Sequence, residues 1–347
     1  MSLAGDLVEL ASIPAPTFDE EGRLEWLEQR LRDLPGQRRR DQVGNLIWEW
    51  GEGTPRVLLA AHVDTVFPRE TRLQFEREGS FLVGPGVGDN AAAVAVAVDV
   101  VGTLLEEGLP GPGAVAFTVG EEGLGNLRGA TAACRELRPE AFVALEGHML
   151  EAAVVDAVGS VRSRVTVTAP GGHSWSDRGA PSAIHELLAA ASSLLALGSP
   201  EAPVNVGTIS GGRSVNTIAD RAELVVERRS IDQAALDEFA AALDRLEVGA
   251  GAAVEVEPLG RRPGGSLPRD SELFAAVAAV RAELGLEPAL AAASTDANAA
   301  CALGIPAVCI GVSRGSGMHS LGERIDLDTL PTGAAQLRAL LVRLLGD

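Results

Sequence analysis

Hydrophobic residues in this chain follow two textures. Over 19–34, Leu24, Leu27, Leu31 and Leu34 recur at helical spacing, and Pro35-Gly36 stops the pattern. Segments 43–50 and 56–61 read as strands, the second so continuously apolar that it belongs in an interior. Residues 91–105 are apolar on nearly every face until Glu106-Glu107, as in a helix packed inside a layered domain. Further apolar runs at 114–119, 142–145 and 307–312 complete an alternation of strands and helices. That alternation favours an α/β fold, a mostly parallel sheet with helices on both faces.

Past Gly159 the period shortens to two. Val161, Val165 and Val167 alternate with Arg162, Arg164, Thr166 and Thr168, which predicts a half-exposed strand. A helix is expected over 182–197, strands over 204–209, 222–228 and 254–259, and Ser230-Ile231-Asp232-Gln233 reads as a capping box opening a second helix. Two helices beside four such strands make a small α+β domain, and Arg261-Arg262-Pro263-Gly264-Gly265 reads as the linker leaving it. The helical pattern over 271–284, stopped by Gly285, resumes the first texture. The expected organisation is a discontinuous domain, 1–158 and 266–347, with a second domain inserted at 159–265.

Composition narrows the chemistry. A chain of 347 residues exceeds the size at which one core usually keeps growing, so two domains are expected. There is no tyrosine, which excludes a tyrosine acid or oxyanion donor, and all 29 basic residues are arginine. Without lysine there is neither Schiff-base chemistry nor a P-loop. A formal net charge of −19 argues against nucleic acid as a partner, whereas it does not by itself indicate a cationic substrate. Acidic residues appear early, at Glu9 and Asp19-Glu20-Glu21, with no basic apolar signal segment before them, and no uncharged run of eighteen apolar residues suggests a membrane span. Cys134, Cys301 and Cys309 have no metal or redox spacing, and an odd number fits a reducing cytoplasm.

The candidate chemistry sits where the apolar runs end. Residues 57–61 lead to His62-Val63-Asp64, Gly84-Pro85-Gly86-Val87-Gly88 leads to Asp89, and 114–119 lead to Glu121-Glu122. Residues 142–145 lead to Glu146, and 307–312 precede a glycine-rich loop ending in His319. Open α/β sheets gather their ligands beyond the carboxyl ends of the strands, so residues spread from 62 to 319 can converge. Each alone has an ordinary reading: Asp89 as a helix cap, Glu121-Glu122 as a solvated turn, His62 as a packed histidine. Jointly they point elsewhere. Two carboxylates delivered by so apolar a run reach a partly buried place, where charges persist only if paired or metal-bound. Asp64 lies on the same side of an extended chain as His62 and can accept from its far ring nitrogen, fixing the tautomer that binds metal.

These residues resemble the zinc exopeptidases and deacylases that include glutamate carboxypeptidase, aminoacylase, acetylornithine deacetylase, succinyl-diaminopimelate desuccinylase and peptidase T. The resemblance runs from Ser12-Ile13-Pro14 and Gly44-Asn45-Leu46 to Met318-His319-Ser320, and its motifs are His62-x-Asp64, Gly86-x-Gly88-Asp89, Glu121-Glu122-Gly123, Glu146 and His319. It implies that 1–158 and 266–347 form a catalytic metal-binding domain and that 159–265 form a lid and dimerisation domain. It implies two divalent ions, zinc first, with cobalt or manganese as alternatives. His62 and Glu146 would hold one, Glu122 and His319 the other, and Asp89 would bridge them. Such a pair shares a hydroxide and polarises the scissile carbonyl. Glu121 would be the general base, Asp64 the partner of His62, and the Asp89–Asn90 peptide would be cis.

In the inserted segment, Gly171-Gly172-His173-Ser174 is similar to the lid motif whose histidine polarises the substrate carbonyl, commonly across a dimer. Asn216 after Gly211-Gly212, and Arg229 in Glu227-Arg228-Arg229, resemble the pair that grips a substrate carboxylate, with Arg228 the register alternative. His148 stays open, and His185 reads as structural. Relatives often carry Lys-Gly shortly after the bridging aspartate, where this chain has Asn90-Ala91-Ala92-Ala93. Glu146 favours carboxypeptidase or deacylase specificity, while Gly-Gly-His-Ser-Trp favours a peptidase T-like aminopeptidase or tripeptidase. The expected substrate is a small peptide or N-acyl amino acid. Two other classes can be imagined, a non-catalytic metal-binding relative and a dinucleotide-binding oxidoreductase. No ligand or base is missing for the first, and Gly84-x-Gly86-x-Gly88 lacks the fingerprint spacing for the second.

Overall fold

Strand Val57–His62 is buried along its whole length, and its side chains divide between two cores. Val57, Leu59 and Ala61 enter one apolar cluster, Leu58 and Ala60 the other. Successive side chains leave a strand on opposite faces, so a continuous apolar run marks a strand covered on both sides. The computed structural model describes residues 3–346 and divides the chain into two compact units, one ending at Ala157 and resuming at Ser266, the other spanning Val158–Gly265.

The main sheet runs, in spatial order, Gln37–Arg40, Leu46–Trp50, Gly113–Thr118, Val57–His62, Ala141–Glu146, Ala307–Gly311, Ala152–Ala157 and the two-residue Gly265–Ser266, with Ala289–Ala293 also paired to Ala152–Ala157. The four strands from Gly113–Thr118 to Ala307–Gly311 are parallel, and antiparallel partners flank them. Helices Leu3–Ala11, Glu21–Leu31, Ala93–Glu106, Glu272–Glu283 and Leu330–Leu345 cover one face, while Arg128–Leu137 and Ala297–Cys301 cover the other. The sheet is thus mixed but mostly parallel, with helices on both faces. Its edge strand Gln37–Arg40 carries three arginines, and charge there discourages pairing with another chain. The segment Val87–Glu106 is apolar and long enough to cross a membrane by composition, but most of it is buried in this core.

The second unit is a four-stranded antiparallel sheet in the order Val204–Gly211, Arg221–Ser230, Gly159–Thr168, Ala253–Arg262, with helices Ala183–Leu195 and Gln233–Asp244 packed on it. Two local expectations change. Asp232, rather than Ser230, caps the second helix by accepting from Ala234 N, while Ser230 Oγ accepts from Asp232 N. Arg261 and Arg262 end a strand paired with Gly159–Thr168, so the chain leaves regular pairing only at Pro263.

Candidate metal centre

Parallel pairing brings several strand ends to one edge of the sheet. His62 is the last residue of its strand and pairs beside Thr118, and Glu146 is the last of its own, beside Gly311. Glu121 and Glu122 follow Thr118 by one turn, and His319 lies in the loop after Gly311 with a left-handed φ of 63°. Asp89 lies in the irregular turn Val87–Ala92 before helix Ala93–Glu106. It does not cap that helix, and its peptide bond to Asn90 is cis, as expected. Asn90 Nδ2 donates to Leu145 O at 2.8 Å and its Oδ1 accepts from Gly147 N at 2.9 Å, tying this turn to the strand end that bears Glu146.

The side chains converge around Asp89. Its Oδ1 lies 3.0 Å from His62 Nε2 and its Oδ2 lies 3.0 Å from His319 Nε2. His319 Nε2 is 3.2 Å from Glu122 Oε1, and His62 Nε2 is 3.9 Å from Glu146 Oε2. One ligand atom each from His62, Asp89 and Glu122 falls within a 4.8 Å cluster. Asp89, Glu121, Glu122 and Glu146 are all buried, whereas His319 is half exposed and forms the solvent side.

Asp64 sits differently from the expectation. Its carboxylate is 3.6 Å from His62 Nδ1, and its own main-chain carbonyl lies closer, at 3.1 Å. The carboxylate accepts instead from Glu121 N, from Glu122 N and from Thr17 Oγ1, at 3.0, 3.0 and 2.8 Å. It therefore holds the turn that aims both glutamates, while the Asp64 carbonyl orients the imidazole.

Burial works to lower the His62 pKa, but the Asp64 and Asp89 carboxylates beside its ring, with the charge of Glu146, prevail and hold it well above the usual range. Hydrogen bonds to Asp89 and Glu122 push His319 up to about 10 against a smaller burial effect. Asp89 is held far below the carboxylate range, since its bonds to both imidazoles outweigh its burial. Glu146 is driven well above its usual value by burial, with the charges of Asp89, Glu121 and Asp296 adding to it against His62. Glu122 shifts the same way through burial and Asp89, against the pull of His319. Two imidazoles with Nε2 turned toward the buried carboxylates of Asp89, Glu122 and Glu146 form a donor set suited to divalent metal.

Three further groups were missed by sequence reasoning. Glu323, fully buried, accepts from the backbone of the Asp89 turn and from His148. Arg23 donates to Ile13 O and Val63 O, each at 3.0 Å, and burial lowers its pKa to about 10 against the charges of Asp64, Asp89 and Glu323. Thr118 Oγ1 donates to Asp296 at 2.6 Å. The only sequence signal for any of them is an arginine on the apolar flank of a helix, Arg23 beside Leu24.

In the second unit, Gly172-His173 pairs with Thr217-Ile218, and Ser174 N donates to Asn216 O at 3.0 Å, so His173 and Asn216 share one exposed cluster. His173 Nδ1 accepts from Trp175 N and Ser176 N, which leaves Nε2 as the proton-bearing nitrogen of the neutral ring. Beside it a cleft of 610 Å³ is lined by Ser174, Arg178, His185, Ser214 and Thr217 among others. Arg229 is not brought to this cluster. It stands seven strand positions beyond Ala222, which lies at the strand end near His173, a distance of about 23 Å at the rise of an extended chain. Arg229 is part exposed and bonded to Glu227, whereas Arg228 is buried on helix Gln233–Asp244 and donates to Ala235 O and Glu238.

A family model described as peptidase family M20/M25/M40 matches residues 58–343. A putative succinyl-diaminopimelate desuccinylase from Mycobacterium tuberculosis is 28% identical over 98% of this chain and 99% of its own length. An acetylornithine deacetylase from Pasteurella multocida is 29% identical over 62% of this chain, and the match spans 63% of the deacetylase. Among solved structures, aminopeptidase PepT from Bacillus cereus superposes with a TM-score of 0.83 at 23% identity, covering 99% of this chain and 98% of that one. A tripeptidase from Staphylococcus aureus gives the same score and coverage at 22% identity, so both report the fold.

Proposed function

Because the chain belongs to peptidase family M20/M25/M40 and is a metallohydrolase, we propose that it cleaves the amide bond of a small peptide or N-acyl amino acid at a two-metal centre. The observation carrying this reading is the Asp89 carboxylate, with one oxygen 3.0 Å from each of two histidine Nε2 atoms. In this reading His62 and Glu146 would hold one ion, Glu122 and His319 the other, and Asp89 would be shared between them. Zinc suits the imidazole and carboxylate donors, with cobalt or manganese as alternatives. When bound, the ions polarise the scissile carbonyl and activate water. Glu121 then has the base's task, taking the proton of the attacking water and returning it to the leaving nitrogen. Its backbone N–H is fixed by Asp64 and its side chain is buried beside the ligands.

His173 offers an Nε2 proton to a substrate carbonyl oxygen, and Asn216 beside it and Arg229 are assigned to the substrate carboxylate. A small substrate does not span the roughly 23 Å of strand between Arg229 and Ala222, at the end nearer the His173 cluster of the same chain. A twofold dimer through 159–265, with His173 and Asn216 serving the neighbouring active site, resolves this. The exposed edge strand Val204–Gly211, bearing Ile209, and exposed Leu188 and Leu195 of helix Ala183–Leu195 support such an interface. Three free cysteines support a cytoplasmic setting. The test is a panel of dipeptides, tripeptides, N-acetyl and N-succinyl amino acids assayed with added zinc and again with chelator. Chelator-sensitive cleavage of at least one class is expected, and no amide hydrolysis under any metal would overturn the reading.

A further inference from the structure

We propose that Glu323 is the positioning residue of the bridging carboxylate, an inference that rests on Asp89 bridging two ions. Glu323 is fully buried and takes four hydrogen bonds. Its Oε2 accepts from Gly86 N at 2.7 Å, while its Oε1 accepts from Gly88 N at 3.0 Å, Asp89 N at 2.7 Å and His148 Nε2 at 2.7 Å. Both oxygens are hydrogen-bonded, Oε1 three times and Oε2 once, and a buried carboxylate requires such partners. Every donor but one comes from the turn that delivers Asp89. Glu323 also belongs to the loop that delivers His319. Its N–H closes that loop onto Ser320 O at 3.1 Å, and its carbonyl accepts from Gly84 N at 2.8 Å. One residue thus locks two ligand-bearing segments together and sets the 3.0 Å approach of Asp89 to His319.

His148 completes the arrangement from a third segment, two residues beyond Glu146. Its ring fills the space left by two glycines, for a Cβ on Gly88 would lie 2.2 Å from Nε2 and one on Gly315 would lie 2.5 Å from Nδ1. The glycine at 88 is therefore required by the imidazole packed against it.

Glu323→Gln probes this with little change of shape. The amide has one accepting oxygen and two N–H donors, so whichever way it is turned its NH2 meets at least one peptide N–H. The measurements are zinc affinity by chelator competition, the visible spectrum of the cobalt-loaded protein, and kcat and KM on the best substrate, with folding checked by circular dichroism. A folded Glu323→Gln protein is expected to bind zinc about 10- to 100-fold more weakly, with an altered cobalt spectrum and lower kcat at unchanged KM. Affinity within about twofold of wild type and an unchanged spectrum would overturn the proposal, whatever happens to thermal stability. If Glu323→Gln does not fold, His148→Ala decides. It removes one of four donors, so a smaller loss of affinity supports the proposal and none overturns it. Wild-type protein that takes up no metal overturns the parent reading and this inference together, whereas wild type and variants that bind metal alike overturn the inference alone.

Discussion

Replacing Asp64 tests how the glutamate turn is held, and the structure sets the size of the effect. The Asp64 carboxylate is fully buried and accepts from Glu121 N, Glu122 N and Thr17 Oγ1. In Asp64→Ala both peptide N–H groups lose their partner inside the protein, at about 1–3 kcal/mol each, so a loss of roughly 2–6 kcal/mol is expected. In Asp64→Asn one oxygen still accepts, but the amide NH2 must face one of the two peptide groups, and the expected loss is about 1–3 kcal/mol. The ordering wild type, Asn, Ala is the signature. Urea unfolding followed by circular dichroism in the presence of chelator measures it without a contribution from bound metal, and an unchanged m-value licenses the comparison. The stabilisation also has a pH sign. The neighbouring His62 ring, with the Glu122 and Glu121 N–H groups, overcomes burial and depresses the Asp64 pKa. Its contribution is therefore present above the unfolded value of about 4 and lost as pH falls through the folded one. An Asp64→Asn protein within about 0.5 kcal/mol of wild type would refute the reasoning, because a structure-free surface change is of that size.

Other outcomes follow from the same geometry. Glu121→Gln should lower turnover by about 10² to 10⁴ while metal content stays near wild type, and near-native activity would remove Glu121 as the base. Mixing inactive Glu121→Ala with inactive His173→Ala chains should restore activity if His173 serves the neighbouring subunit, whereas delivery within one chain restores none. Metal uptake should expel protons, because His62 and His319 are held protonated above their ordinary range in the metal-free protein. Affinity should thus fall as pH falls, and calorimetry in buffers of different ionisation enthalpy should read the release.

The parts of this fold legible in the sequence were those whose physics is local. The runs ending at His62, Glu121-Glu122 and Glu146 read as buried strands because both faces of each are covered, and a strand that ends at a sheet edge must present its next residues there. What escaped depends on distant partners. Arg23 stands on a helix legible only by its leucine stripe, and it is almost fully buried because Ile13 and Val63 turn carbonyls toward it. Glu323 meets its backbone donors 234 to 237 residues earlier in the chain and His148 175 residues earlier, and nothing in Gly322-Glu323-Arg324 announces burial. Strand Gln37–Arg40, polar and at the sheet edge, has no apolar face to reveal it. Arg229 was placed by motif spacing alone, which carries no information on which end of a ten-residue strand faces the lid cluster.

The central claim is that Asp89 bridges two catalytic ions, and the most direct measurement is metal content against turnover. Chelator-stripped protein titrated with zinc, with bound metal counted by plasma mass spectrometry at each point, should be inactive at the start, take up two ions per chain and gain its activity with that uptake. In Asp89→Ala both ions should be weakened together. Full hydrolysis by protein that holds no metal, or an Asp89→Ala variant that retains two tightly bound ions, would contradict the account.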